Sequence, residues 1–424
     1  MPRGITNISG VSCHITSALQ LIYHCLPSFR KALIGLINLR TVAPLLRDLG
    51  RLFQDLQHND EENPVDPSTL YRTIENETSL DSNNLGDAVR ALRTLLHMIR
   101  SEVANYQSQG SSPCFTTLSS LLDLELHGCM EQVLIGRQRT LVRRKVSKRV
   151  QACPFPIPNA SSSVKEGLLQ ATIIPQEITG YSWDNVENYQ EMELEDSAFD
   201  SWVTCKTSSF QQIPTTLLLH VQRYSFVDRG IEGITNPLDI PHRLDMNTFC
   251  KEKKNDSHEF TLTGCLLHVL DSQTAHEEHE GGHYVALVRF AEQWVVLNDE
   301  DSTELSYSDD SMMDILSGRV SIVELNLGSI ICPTLLVYST VVDSNESMWI
   351  TFMEQLNVEI KKQSDEPNWE LSILGQRVKI LWAKGKYFTG TVVAYDAERC
   401  KHKVEYDDGD VKEYNLRKKT LEWI

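Results

Sequence analysis

A lone cysteine, Cys13, sits where a small-residue loop meets an amphipathic run, and this junction constrains the chain more than any other feature. Residues 4–21 read GITNISGVSCHITSALQL. Ile15, Ala18, Leu19, Ile22, Tyr23 and Leu26 recur at helical spacing, and Pro27 favours a stop. The pattern places Cys13 at or beside a helix N-terminus. Free N–H groups and the positive end of the helix dipole stabilise a thiolate there, and a nucleophilic cysteine enzyme needs that environment. The plain alternative is a structural cysteine on a core helix.

A second stretch changes the balance. Residues 281–299 read GGHYVALVRFAEQWVVLND. Two alternating runs flank a short polar turn, the pattern of a β-hairpin. Its arms bring His283 near the pair Asn298–Asp299. A cysteine nucleophile needs a base for its proton and a third group to hold the imidazole. Either member of the pair fits that role, because a one-residue register slip exchanges the faces. His14 adjoins Cys13 but is a poor base, since neighbouring helix residues do not face each other. His276 and His279 lie in the polar run HEEHEGG. It reads as a substrate-cleft loop hinged at Gly281 and Gly282 rather than as a metal site.

Together the two stretches resemble the ubiquitin-specific proteases. The first is similar to that family's cysteine box, G-L-x-N-x-G-x-T-C-Y-x-N-S-x-L-Q, through Gly4, Ile5, Asn7, Gly10, Cys13, Ser17, Leu19 and Gln20. It departs by one extra residue between Asn7 and Cys13, by His14 for the aromatic and by Thr16 for the Asn. The resemblance implies an α+β, papain-like cysteine protease core with thumb, palm and fingers. It implies Cys13 as nucleophile, His283 as base and Asn298 as the residue that orients it, with Asp299 polarising nearby groups or standing in. Asn7 would donate to the oxyanion, provided the extra residue bulges out of the loop. Losing one such donor costs about 3–4 kcal/mol of transition-state stabilisation. The implied partners are ubiquitin or ubiquitinated proteins, and the implied chemistry needs no metal or organic cofactor.

Residues 85–102, LGDAVRALRTLLHMIRSE, form a helical stripe that resembles the family's Q-Q-D-A-x-E-F-L segment. Asp87 would bind ubiquitin's basic tail there, although Arg90 replaces the usual Glu. A plain N-terminal helix carboxylate is the alternative for Asp87. Residues 113–213 correspond to the fingers. Cys129, Cys153 and Cys205 stand singly, which argues against a tetrahedral cysteine site. The basic run 143–149 reads as a strand edge or, less simply, as an import signal. Residues 58–84 are polar, carry two prolines and read as mostly loop.

The last fifty residues change character. RVKILW, YFTGTVVAYD, KHKVEYDDGD and VKEYNL are short β-type runs at close spacing. They resemble a small all-β Tudor-like barrel. In such modules aromatic walls bind methylated lysine or arginine by cation–π attraction, and the matching positions are Trp382, Phe388 and Tyr406. The alternative is that these rings fill a small core. The expected division is a catalytic domain over 1–342, a helix and linker over 343–372, and the Tudor-like domain over 373–424. Methylated histone or other basic tails are the partners the tail module implies.

Composition supplies the remaining bounds. No run of about 18 apolar residues exists, so no membrane-spanning helix is expected, and the N-terminus lacks a signal-peptide pattern. Ten cysteines at irregular spacings, without a C-x-x-C pair, suit reduced thiols in the cytoplasm or nucleus. A net charge of −18 argues against broad nucleic-acid binding and toward a basic partner. A solvated acidic surface explains the charge equally well. Two rivals to the hydrolase follow from the altered cysteine box and from Arg90: a catalytically weak or inactive ubiquitin-binding scaffold, and a protease for a ubiquitin-like modifier.

Overall fold

The computed structural model describes residues 1–57, 63–78, 80–84, 86–108, 113–150, 153–158, 161–184, 186–193, 201–227, 230–233, 236–250, 258–270, 283–319, 330–340, 346–365, 373–382, 385–396 and 401–424. Contacts divide the chain into two compact units, Met1–Leu356 and Asn357–Ile424. No described helix is long and apolar enough to cross a membrane.

The first unit opens with helices α1 (Cys13–Cys25), α2 (Pro27–Leu36), α3 (Pro44–Leu56), α4 (Ser68–Glu77), α5 (Ala88–Ser108) and α6 (Pro113–Leu122). Helix α1 is the centre of this unit. Nearly every one of its residues is buried, polar ones included, because it packs on α5 on one side and on strands of the main sheet on the other. Pro27 ends α1 and starts α2 at its first turn, where a missing N–H costs nothing. Helix α3 carries the most regular apolar stripe, Leu45, Leu46, Leu49, Leu52, Phe53 and Leu56, all buried. Helix α4 corrects the expectation of loop over 58–84. Its burial rests on Leu70, Tyr71 and Ile74 alone, too few apolar positions in a polar stretch to register as a period.

Two sheets follow. An antiparallel five-stranded sheet runs in the order Gln176–Ile178, Val203–Gln212, Cys129–Gln138, Leu141–Val150, Gln190–Glu193. The basic strand is therefore not an edge along its first residues. Arg143 and Arg144 pair with Glu191 and Gln190, so opposite charges meet across the ladder. The eight-stranded main sheet runs Asp301–Leu305, Gln293–Asn298, His283–Phe290, Glu259–Leu270, Ile330–Thr340, Thr216–Val221, Phe155–Ile157, with Arg243–Asp245 pairing to Glu259–Leu270. Its central strands, Glu259–Leu270, His283–Phe290 and Ile330–Thr340, are largely apolar and buried, the pattern of strands covered on both faces. Leu217, Leu219, Val285, Leu287, Val296, Leu336 and Tyr338 belong to one large core cluster.

Two further helices complete the unit. Helix α7 (Val164–Ala171) is capped by Ser163, whose side chain accepts from the Glu166 N–H. Helix α8 (Asp309–Leu316) is capped in the same way by Ser308. Helix α9 (Glu346–Asp365) begins in the first unit and ends in the second. Its Trp349, Phe352 and Leu356 are buried. Gln355 accepts from the Thr117 hydroxyl of α6 at 2.7 Å, so the first half of the helix expected ahead of the linker packs into the first unit.

The second unit is an antiparallel five-stranded sheet, ordered Val411–Tyr414, Lys401–Tyr406, Tyr387–Asp396, Arg377–Leu381, Leu421–Trp423. Ile373, Val378, Ile380, Val392, Val404, Tyr406 and Leu416 form its core. Among the described residues no pairing joins the two outer strands, so closure of the small Tudor-like barrel expected is not seen in the ladder.

Candidate active site

Cys13 is the first residue of α1 and is buried, 3% exposed. Its N–H, like the others of the first turn, has no intrahelical acceptor. The loop before it explains how the extra residue is accommodated. Asn7 Oδ1 accepts from both the Ser12 N–H (3.1 Å) and the Ser12 hydroxyl (2.7 Å). Between these anchors residues 8–10 are exposed, and Gly10 turns the chain at φ 73°. The additional residue thus bulges into solvent while both ends of the loop stay fixed. Gly4 has a different reason. A Cβ there would meet the Glu300 carbonyl oxygen at 2.1 Å, so the N-terminal segment can lie against residues 299–300 only as glycine.

The hairpin places the other partners. His283–Phe290 pairs with Gln293–Asn298 through a turn at Ala291 and Glu292, both at positive φ, the geometry of a tight two-residue hairpin. Ala286 pairs with Leu297, and continuing that register puts Asn298 on the face that carries His283. The register ambiguity is thereby resolved, and Asn298 Oδ1 lies 2.5 Å from His283 Nε2. Asp299 belongs by alternation to the opposite face. It leaves the strand at φ 52°, and its Oδ2 swings back to 3.9 Å from His283 Nε2.

His283 is hydrogen-bonded to Cys13 as well, and this contact is the main reason its pKa rises from 6.5 to about 9. The Asn298 contact raises it further, and burial opposes both. The ring therefore holds its proton at neutral pH. An imidazolium beside the sulfur is the neighbour a thiolate nucleophile needs.

Asp299 ties the two stretches together. It is 7% exposed. Its Oδ2 accepts from Asn7 Nδ2 at 2.8 Å, and its carbonyl accepts from the Ile5 N–H (2.9 Å) and from Gln20 Nε2 (3.0 Å). Its Oδ1 is buried with no hydrogen-bond partner among the described residues. Burial pushes the Asp299 carboxyl above its ordinary value. Asn7 thus spends one amide hydrogen on Asp299 and keeps one. Sequence reading matched Gln20 without giving it a role. The available signal was an amide one helical turn beyond Thr16 and Ser17, on the polar side of the helix that starts at Cys13. Glu300, which accepts from the Asn7 N–H at 2.7 Å, carried no such signal.

Asp87 lies apart from this cluster. Its Oδ1 caps α5 by accepting from the Arg90 N–H at 2.6 Å, and its Oδ2 accepts from the Tyr284 hydroxyl at 3.2 Å. Gly281, Gly282, His276 and His279 lie outside the described residues. In the second unit Trp382, Phe388 and Tyr406 do come together. Trp382 lies 5.0 Å from Phe388 and 5.5 Å from Tyr406 between ring centroids. Tyr406 is nevertheless core, 4% exposed. Its hydroxyl oxygen accepts from Trp382 Nε1 at 2.9 Å and donates to Tyr414 at 3.2 Å. Phe388 remains more than one-third exposed.

A helix-borne cysteine, a strand-borne histidine and an asparagine on the paired strand stand together in the arrangement that cysteine hydrolases use. The family profile described as "Ubiquitin carboxyl-terminal hydrolase" matches residues 3–324, about three quarters of the chain, and the chain belongs to that family. A second profile, "PTM/DIR17-like, Tudor domain", matches residues 375–420. The chain is also similar to the sister chromatid cohesion protein PDS5 homolog A of Arabidopsis thaliana, 38% identical over 53 residues. That match covers 12% of this chain and 3% of the relative.

Proposed function

We propose that the chain hydrolyses the isopeptide or peptide bond after the C-terminal glycine of ubiquitin or of a ubiquitin-like modifier. The observation that carries this reading is the connected set Cys13–His283–Asn298, with a histidine that holds its proton because of the cysteine. The Cys13 sulfur attacks the carbonyl carbon. His283 gives its proton to the leaving amine as the C–N bond breaks, which leaves a thioester on Cys13. Water then adds, His283 takes its proton, and the C–S bond breaks to release the modifier. Asn298 keeps the ring in the plane where both transfers work. The Cys13 N–H and the remaining Asn7 amide hydrogen are the oxyanion donors. In this reading the helical layer, the eight-stranded sheet and the five-stranded sheet serve as thumb, palm and fingers.

The Tudor domain supports a second contact, to methylated lysine or arginine in a histone or other basic tail, through Trp382 and Phe388. The likeness over 53 residues to a sister chromatid cohesion protein supports chromatin substrates, and a nuclear or cytoplasmic site of action is part of the same proposal. Hydrolysis of ubiquitin carrying a fluorogenic C-terminal amide tests the main reading. Wild type turns it over and Cys13→Ala does not. A non-catalytic scaffold is the second reading, favoured by the Asn7 amide hydrogen spent on Asp299. Reversible ubiquitin binding by wild type without turnover would select it.

A further inference from the structure

Beside Asp87 an open cleft of about 350 Å³ runs between α5 and the strand Thr216–Val221. Its wall holds Arg90, Arg93, Thr94 and His97, one stripe along the outer face of α5, and His220 faces them from the strand. Neither guanidinium has a hydrogen bond or ion pair from its side chain among the described residues. The carboxylate at the mouth, Asp87, already accepts from the Arg90 N–H and the Tyr284 hydroxyl. Burial keeps the His220 imidazole below its ordinary value against the pull of Asp87, so the formal positive charge comes from the two arginines. In a chain of net charge −18 this is a local reversal of sign. The cleft and the Cys13–His283 site are linked through one strand. Tyr284, hydrogen-bonded to Asp87, follows His283 in the same strand.

We infer that this cleft selects the modifier by its tail, taking a segment ahead of the scissile bond that carries acidic rather than basic side chains. The inference rests on the proposed hydrolase reading and sharpens its substrate class toward a ubiquitin-like modifier. The physical reason is complementarity. A carboxylate meets two planar, unpaired forks, whereas an arginine in the same place meets like charge, which is how specificity is built against a competitor.

The test reacts the full chain with three probes tipped by a thiol-reactive electrophile: ubiquitin, ubiquitin with its tail arginines replaced by alanine, and ubiquitin with them replaced by glutamate. Labelling of Cys13 is expected fastest with glutamate and slowest with arginine, a spread of roughly tenfold that narrows at high salt. Arg90→Glu/Arg93→Glu should invert the order, and Arg90→Lys/Arg93→Lys should retain it. An order that favours the native tail, or that the double charge reversal leaves unchanged, overturns the inference while the hydrolase reading stands. Failure of every probe to label Cys13 overturns the hydrolase reading instead. The cleft is then judged by fluorescence anisotropy with labelled hexaglutamate and hexalysine peptides. Equal binding of the two, or binding indifferent to Arg90→Glu/Arg93→Glu, overturns it.

Discussion

The candidate active site and the five-stranded sheet of the first unit use their buried groups in opposite ways. At the reaction centre polar side chains are held in one arrangement at a cost. Asp299 sits at positive φ with one carboxylate oxygen unpaired, and its burial disfavours the charge it carries. Strain and unpaired buried polar groups of this kind gather at functional sites. The five-stranded sheet shows the reverse. Arg143 lies under Tyr189 and Trp202, 4.7 and 4.8 Å from their ring centroids, and is hydrogen-bonded to Glu191. Trp183 is buried beside them and donates to the Thr204 hydroxyl at 2.9 Å. Gly136 leaves the room this needs, since a Cβ would meet the Trp183 ring at 2.1 Å. The sheet is held by aromatic packing and two cation–π contacts to Arg143. One region gives up stability for geometry, and the other supplies it.

The comparison breaks most visibly at Trp183. Trp183→Ala should destabilise the first unit by about 3–5 kcal/mol, the range for emptying a buried tryptophan site, as read by denaturant unfolding. Below the unfolding midpoint it should leave kcat on a fluorogenic C-terminal peptide nearly unchanged. A large loss of kcat in folded enzyme would mean that the two regions are not separable. Asn7→Ala tests the other side. Turnover should fall by roughly 10²-fold, about 3 kcal/mol of transition-state stabilisation, with KM little altered. A change confined to stability would make Asn7 a loop anchor only.

The pH behaviour is a finer probe of the centre. Because the fold raises the His283 pKa from 6.5 to about 9, its protonated ring contributes stability fully below pH 6.5. That contribution is lost as pH rises through 9. Activity should fall over the same upper limb. In Cys13→Ala the largest cause of the shift is gone, so an NMR titration of His283 should move back toward the ordinary value. An unchanged titration would contradict the Cys13–His283 contact. The smallest effect is expected in the second unit. Phe388→Ala should leave its melting temperature within a few degrees, since the ring is exposed, and should weaken binding to a trimethyl-lysine peptide measured by calorimetry. Tyr406→Phe, which removes a core hydroxyl, should cost stability first.

How far this was legible in the sequence follows the same divide. Cys13, His283 and Asn298 could be read because a helix stripe and a hairpin have periods of their own, and each carries its chemical residue at a fixed place in that period. Alternation alone did not choose between Asn298 and Asp299, since that depended on register and on one left-handed residue; the family resemblance favoured Asn298. The bulge at residues 8–10 likewise awaited the Asn7–Ser12 bonds. The five-stranded sheet was weakly legible for a different reason. Tyr189, Trp202 and Arg143 come from three separated segments and acquire meaning only when the strands pair. Helix α4 escaped because three apolar residues in a polar stretch do not make a period. In the tail, sequence grouped Trp382, Phe388 and Tyr406 as matching positions, and the three rings lie side by side. Spacing alone did not tell the exposed ring from the buried one.

The most direct test of the central claim is intact-protein and peptide mass spectrometry after reaction with ubiquitin bearing a C-terminal thiol-reactive electrophile. One adduct is expected, on Cys13, absent in Cys13→Ala and slowed by ~10³-fold or more in His283→Ala. An adduct on another cysteine, or one whose rate His283→Ala leaves unchanged, would contradict that claim.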